Sequence, residues 1–356
     1  MSSPLVTLAP EIVCHIIKEL PIEDGRIFLE SCKNVYNNGI YAFDEKCFRA
    51  IPVRLTKQGL DLAKQLLKEH SIHYLQEIFI RLRDGLVVFG SEEMDIQNAL
   101  ISVLTQGLQV STQPLTISIW DHPERFNDPS GGCMKIVAQA ISTILSVEPT
   151  KPFKVQIQNL RLGNCRWLFL CGRPFLDRVQ SLELRFDHYT SGSRALKGIK
   201  KVLPLASNLE ELSLSNNTEA YLSSETFQQI ISKSIPKKLK RVIITGVSIS
   251  ATELREALSP FHDYLRELKL ENVVFQDESF DEFIDYVVNH LAVTLDSYSV
   301  KDIYEDRGED VHKILDPMKE CREMGVSIWG FDIMKGLDGR KSDSKAKKLL
   351  LKGKGS

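Results

Sequence analysis

The stretch "YLRELKLEN", residues 264–272, sets apolar side chains at Leu265, Leu268 and Leu270 and polar ones between them. Side chains two apart on a β-strand share a face. Leu268 and Leu270 therefore face one way, and Glu267, Lys269 and Glu271 the other. Two more stretches read alike: "NLEELSLSN" (208–216), with Leu209, Leu212 and Leu214, and "KLKRVIITG" (238–246), with Leu239, Val242 and Ile244. The same spacing falls on Val179, Leu182 and Leu184 and on Leu75, Ile78 and Ile80. Its last two positions recur at Ile117/Ile119, Val155/Ile157 and Val293/Leu295, giving about eight strands at intervals of 25 to 39 residues.

Helical patterns fill the intervals. Phe280, Phe283, Ile284, Val287, Val288 and Leu291 form one apolar stripe, spaced for an α-helix. Others run through Ile136, Val137, Ala140, Ile141 and Ile144 and through Ile96, Leu100, Val103 and Leu104. Ser250 and Glu253 have the spacing of a capping box before a helix over 252–262. Strand alternating with helix implies parallel strands. A doubly wound sheet, covered on both faces, needs near-continuous apolar strands; here every second residue is polar. The pattern therefore predicts a solenoid of the leucine-rich-repeat type, α/β, with a parallel sheet whose concave face is exposed. The repeats exceed the usual 20–29 residues of that class, so the solenoid should be irregular.

The composition is that of an ordinary soluble chain: 356 residues, 43% hydrophobic, 26% charged, formal net charge −2. So small a net charge draws in neither nucleic acid nor an anionic membrane, and no apolar run approaches the roughly 20 residues of a membrane span. "MSSPLVTLAPE" has none of the features of a secretory leader. The seven cysteines are scattered, odd in number and without a Cys-x-x-Cys pair, which predicts free thiols in a reducing compartment. The expected location is cytoplasmic, nuclear or both.

Before the first repeat lies "LAPEIVCHIIKEL", residues 8–20. Pro10 suits a first helical turn, and Ile12, Ile16, Ile17 and Leu20 form a stripe about two turns long, with Val13 at its edge. A module of ~40 residues can hardly bury that stripe unaided, so a partner's surface is expected to cover it. These residues resemble the F-box, the adaptor-binding module of Skp–cullin–F-box ubiquitin ligases. The family's opening motif corresponds to Leu8-Ala9-Pro10-Glu11-Ile12, then Ile16, Ile17 and Leu20; its acidic turn to Glu23-Asp24; the end of its second helix to Cys32-Lys33. Ala9 stands where the family has a second proline, Gly25 where it has a leucine, and Glu30 at a commonly apolar position. Glycine within a helix is unfavourable by about 1 kcal/mol relative to alanine, so the second helix should start late or pack loosely. "FRAIPVRLTKQGLDLAKQLLKEHSIHYLQEIFI" (48–80) is similar to the linker of fungal F-box proteins, and "LRELKLENVVFQDESF" (265–280) to their later repeats.

Candidate chemistry is sparse. His70 and His73 lack a third ligand at metal-site spacing, no phosphate loop or dinucleotide fingerprint follows a strand, and no nucleophile elbow is present. Cys165 and Cys171 read as core or strand-edge residues. Asp277, Glu278, Asp281, Glu282 and Asp285 read as a solvated helix face, and the lysine-rich "RKSDSKAKKLLLKGKGS" (340–356) as a solubilising tail. The sequence thus predicts a non-enzyme without metal or cofactor. An α/β enzyme is the rival disfavoured by the wet strand face.

The expected organisation is an F-box-like module over 1–50, a helical linker over 51–74, the solenoid over 75–330 and the basic tail over 331–356. The resemblance implies a substrate receptor. Leu8, Pro10, Glu11, Ile12, Ile16, Ile17, Leu20 and Cys32 would bind a Skp-type adaptor, and through it cullin. The repeats would capture an unidentified target protein, with Phe79, Trp120, Arg185, Ile243 and Lys269 as the expected contacts. The alternative is a leucine-rich-repeat interaction scaffold without a ligase role.

Overall fold

The computed structural model describes residues 8–69, 74–82, 91–121, 132–147, 152–161, 165, 168, 172–186, 193–216, 221–231, 236, 238–276, 280–291, 294–306 and 311–315. The chain divides into two compact units, Met1–Gln156 and Ile157–Ser356. His70, His73, Cys171, Asp277, Glu278 and the basic tail lie outside the described residues.

The first unit opens with three helices: α1 (Pro10–Glu19), α2 (Ile22–Glu30) and α3 (Lys33–Phe48). There follow β1 (Ala50–Arg54), α4 (Lys57–Glu69), β2 (Glu77–Leu82), α5 (Ser91–Val110), β3 (Leu115–Asp121) and α6 (Gly132–Val147). The next strand, β4 (Phe153–Arg161), runs through the point of division. β1 pairs in parallel with β2, and β2 with β3, rung for rung: Ile51 stands opposite Ile78, and Ile78 opposite Ile117. The strand ladder therefore starts at Ala50 rather than at 75, and the expected linker is its first strand and helix. Ile51, Val53, Ile78, Ile80, Ile117 and Ile119 are all buried. Helices α4, α5 and α6 pack each on the next, and the buried Ile96, Leu100, Val103, Leu104, Ile136, Val137, Ala140, Ile141 and Ile144 are the stripes expected from spacing. Lys135 on α6 reaches Glu93 on α5 at 2.7 Å.

The second unit continues the alternation with α7 (Gly172–Leu176), β5 (Val179–Phe186), α8 (Ser193–Val202), β6 (Glu211–Asn216), α9 (Ser224–Ile231), β7 (Arg241–Ile249), α10 (Ala251–Leu258), β8 (Glu267–Phe275), α11 (Phe280–Tyr286) and β9 (Ser297–Asp306). β5 to β9 are parallel, each beside its chain neighbour, which is not the reversing order of a doubly wound sheet. β10 (Val311–Leu315) returns antiparallel along β9 and was not foreseen. The described chain is thus α/β, with nine parallel strands and eleven α-helices among the described residues. A recurring backbone device sets the strand starts. The carbonyl of Glu210 accepts from the N–H groups of Lys240 and Arg241, that of Lys240 from Arg266 and Glu267, and that of Arg266 from Asp296 and Ser297.

Two expectations shift in detail, and a third holds. The strand assigned to Val293/Leu295 is β9: Leu295 precedes it, Tyr298 and Val300 occupy the paired positions, and Val293 is outside the described residues. Tyrosine at a position held elsewhere by an aliphatic residue hid the register. In the stripe over 280–291 a π-helical turn at Val287–Leu291 follows α11. The wider turn rotates Val288 partly outward, and Tyr286 takes the buried place. The capping box forms as spaced: Glu253 N–H donates to Ser250 Oγ at 3.2 Å and Ser250 N–H to Glu253 Oε2 at 3.0 Å.

Four equivalent positions carry a backbone signal that the periodicity did not reveal. Asn159, Gly246, Asn272 and Asp302 all have φ between 53° and 72°, and each lies two residues after the second apolar residue of its strand. Glycine, Asn and Asp adopt this left-handed conformation most readily. The kink ends the simple alternation: beyond it Val247, Ile249, Val273, Val274 and Phe275 are buried.

Candidate functional site

The N-terminal module is a three-helix unit with its own core. Val13 and Ile17 of α1 are fully buried against Leu29 of α2 and Val35 and Ala42 of α3, with Leu8, Cys14, Phe28, Cys32, Ile40 and Phe43 partly buried around them. α1 begins with Pro10, carries Glu11 in its first turn and Lys18 in its last, charges that suit the helix dipole. Lys46 of α3 closes its other end: the ammonium donates to the carbonyls of Lys18 at 2.7 Å, Ile17 at 3.3 Å and Leu20. These are carbonyls that a helix C-terminus leaves without an intrahelical donor.

This arrangement corrects the expectation for Ile17. The side chain does not face outward; it fills the space left by Gly39 on α3, and its exposure is 0%. Ile17 and the edge residue Val13 are buried because α3, unread in the sequence, brings a glycine where two helices cross. Leu8 and Cys32 likewise pack on the module's core, while Ile16 and Leu20 are half-buried. Pro10, Glu11 and Ile12 are exposed. Gly25 lies inside α2 and is itself buried, the helix starting at Ile22, so the late start predicted from that glycine is also corrected. Among its exposed charged residues the module also leaves apolar side chains uncovered: Ile12 is 50% exposed, Ile27 61% and Tyr41 70%, with Ile22 and Tyr36 half-exposed.

On the repeats, alternation places a polar face on each run of strands. In the first unit β2 presents Glu77, Phe79 and Arg81, and β3 presents Thr116, Ser118 and Trp120. Phe79 and Trp120 meet with ring centroids 6.3 Å apart, and the Arg81 guanidinium carbon lies 5.0 Å from the Trp120 ring centroid. Both rings are half-buried, tilted against one another at 32° rather than sunk in the core. Ser118 stands opposite Phe79 in the ladder, fully buried, with its Oγ lacking any hydrogen-bond partner. An orphaned buried hydroxyl is unfavourable by roughly 1–3 kcal/mol.

In the second unit a shallow depression of about 360 Å³ opens on the corresponding face, lined by Gln158, Glu183, Glu211, Arg241, Ile243 and Lys269 among others. Its charges are matched internally. Arg241 Nε lies 2.6 Å from Glu267 Oε2 and its guanidinium 3.5 Å from Glu211; Glu271 accepts from Lys269 and Lys301, both at 2.9 Å. The Lys269 and Lys301 hydrogen bonds hold the Glu271 carboxyl below its ordinary range against the opposing effect of partial burial. Ile243 and Lys269 thus share one site. Arg185 does not join them as an accessible contact: it is only 8% exposed and already engaged within the protein, as a buried guanidinium must be.

Among the described residues no group of three His, Cys, Asp or Glu side chains could hold a metal ion, and no helix is long and apolar enough to cross a membrane. Cys14, Cys32, Cys47, Cys133 and Cys165 are free thiols.

No protein-family model matches the chain, and no curated protein matches it. Solved structures do match, among them the crystal structure of a D-tagatose 3-epimerase-like protein, 10% identical over 65% of this chain and 91% of that one, with a TM-score of 0.24. That protein is by name epimerase-like, which runs against the expectation of a non-enzyme. At this TM-score the likeness carries nothing further about what this chain acts on.

Proposed function

We propose that the chain is a substrate-receptor subunit of a Skp–cullin–F-box ubiquitin ligase, with an F-box-like module ahead of an irregular leucine-rich-repeat solenoid. The observation that carries this reading is the state of the N-terminal module. Its core is complete within three helices, yet Ile12, Ile22, Ile27, Tyr36 and Tyr41 remain exposed on it. Apolar side chains that a module does not need for its own core are available to a partner, and the resemblance of Leu8–Ile12, Glu23-Asp24 and Cys32-Lys33 to the F-box pattern supports a Skp-type adaptor as that partner. The polar strand faces would hold the target, and tethering it beside a ubiquitin-charged enzyme raises its effective concentration there.

Purification of the tagged chain from cells, followed by mass spectrometry, tests this reading. Recovery of a Skp-type adaptor and cullin is the expected result. Recovery of target proteins alone would favour an interaction scaffold without a ligase role.

A further inference from the structure

The two units treat charge on their strand faces differently. In the second unit Arg241 is shared by Glu211 and Glu267, and Glu271 by Lys269 and Lys301. In the first unit Arg54 of β1 stands directly opposite Arg81 of β2. Like charges in cross-strand register destabilise a sheet. Neither guanidinium has a carboxylate within ion-pair distance among the described residues. Glu77 is the carboxylate that β1, β2 and β3 place on this face, four residues before Arg81, and Lys154 of β4 adds a third cation. Arg81 also lies over the Trp120 ring, a contact that orders the guanidinium and leaves its N–H edge open to a carboxylate. Beside the arginine pair stand the half-exposed rings of Phe79 and Trp120.

We infer that this face of the first unit binds an extended acidic segment of a partner protein, with carboxylates on Arg54 and Arg81 and an aliphatic side chain on Phe79 and Trp120. The inference rests on the receptor reading only in taking the ligand to be a captured protein. An extended chain sets alternate side chains about 7 Å apart, the separation of Phe79 and Arg81 along β2. A carboxylate offered to the arginine pair would relieve its repulsion and form charge-assisted hydrogen bonds. Arginine beside aromatic rings also suits a single-stranded nucleic acid. Glu77 within the face and a chain net charge of −2 favour the peptide, since a backbone track needs continuous positive charge.

Fluorescence anisotropy with the full chain tests the inference, using a fluorescein-labelled peptide of alternating glutamate and leucine. The controls replace glutamate by serine or by lysine, and a labelled oligouridylate is the nucleic-acid arm. The acidic peptide should bind at least about tenfold more tightly than the serine peptide. Arg54→Ala/Arg81→Ala should abolish that advantage, and Trp120→Ala should weaken binding while Trp120→Phe retains most of it. The melting temperature is read for each variant, and the double arginine variant, which removes a like-charge pair from the strand face, should not lower it. Equal affinity for acidic and serine peptides, an unaltered double variant, or tighter binding of oligouridylate overturns the inference. Adaptor co-purification is scored on the same preparations. A chain that holds the adaptor and ignores the acidic peptide overturns this inference alone; one that binds the peptide and no adaptor overturns the ligase reading alone.

Discussion

Ile17 of α1 sets its δ-methyl group where a side chain at Gly39 of α3 would stand. Two helices approach closely there because one residue has no Cβ. A methyl group at position 39 would meet Ile17, Val13 at 3.0 Å and Leu29 at 3.1 Å, three members of the module's core. At Gly25 of α2 the added methyl would find only ordinary contact, 3.4 Å from Phe43. The two glycines should therefore respond with opposite signs. Gly25→Ala should stabilise by up to about 1 kcal/mol, the helix-propensity gain, and Gly39→Ala should destabilise by about 1–3 kcal/mol through overpacking. Urea unfolding of both variants checks this, and equal effects would be inconsistent with the three-helix core.

Gly246 combines a φ of +72° with close approach of the Asn216 backbone carbonyl. Alanine there meets both the left-handed strain, about 1–2 kcal/mol, and a backbone it cannot displace. Gly246→Ala should lower stability by more than about 2 kcal/mol. Asn272→Ala, at the equivalent left-handed position of β8, should cost less, since the strained backbone is already carried by a residue with a Cβ. A thermal melt showing Asn272→Ala as the more damaging change would count against this explanation.

Much of this was legible in the sequence, and the reasons for the rest are physical. The apolar spacing of Leu209/Leu212/Leu214 and its relatives is a local pattern, so strand positions and their buried faces could be read directly. β9 escaped because Tyr298 interrupts the aliphatic series. The left-handed column at Asn159, Gly246, Asn272 and Asp302 did leave a trace, Gly, Asn or Asp at a constant offset. It is visible only once the strands are aligned. The orientation of α1 was not legible at all: which edge of its stripe turns inward depends on α3, whose residues Lys33–Phe48 have a weak apolar pattern and a glycine at the crossing. Arg185 failed as a contact for a similar reason, since alternation gives the face of a side chain and not what covers it.

Glu271 ties pH to the second unit's strand face. Hydrogen bonds from Lys269 and Lys301 hold its carboxyl below 4.5, the value of a free side chain. The folded value is thus lower than the unfolded one. The stabilisation is fully present above about pH 4.5 and is lost as pH falls through the folded value. The stability difference between the natural chain and Glu271→Gln should be constant near neutrality and shrink on acidification below pH 4.5. Denaturant titrations over pH 3 to 7 measure it; a difference that grew on acidification would contradict the assignment.

Binding of a purified Skp-type adaptor to the purified chain, measured by titration calorimetry, decides whether the exposed side chains of the N-terminal module are a docking surface. Ile12→Asp/Ile27→Asp places carboxylates at two uncovered positions, where burial beneath a partner would be strongly unfavourable. The natural chain should bind, and the double variant should lose at least about a hundredfold in affinity with an unchanged melting temperature. Ile17→Ala should act differently, lowering the melting temperature of the module by removing about 2–5 kcal/mol of core packing. A folded natural chain that does not bind the adaptor, or a double variant that binds it equally well, would contradict the receptor function.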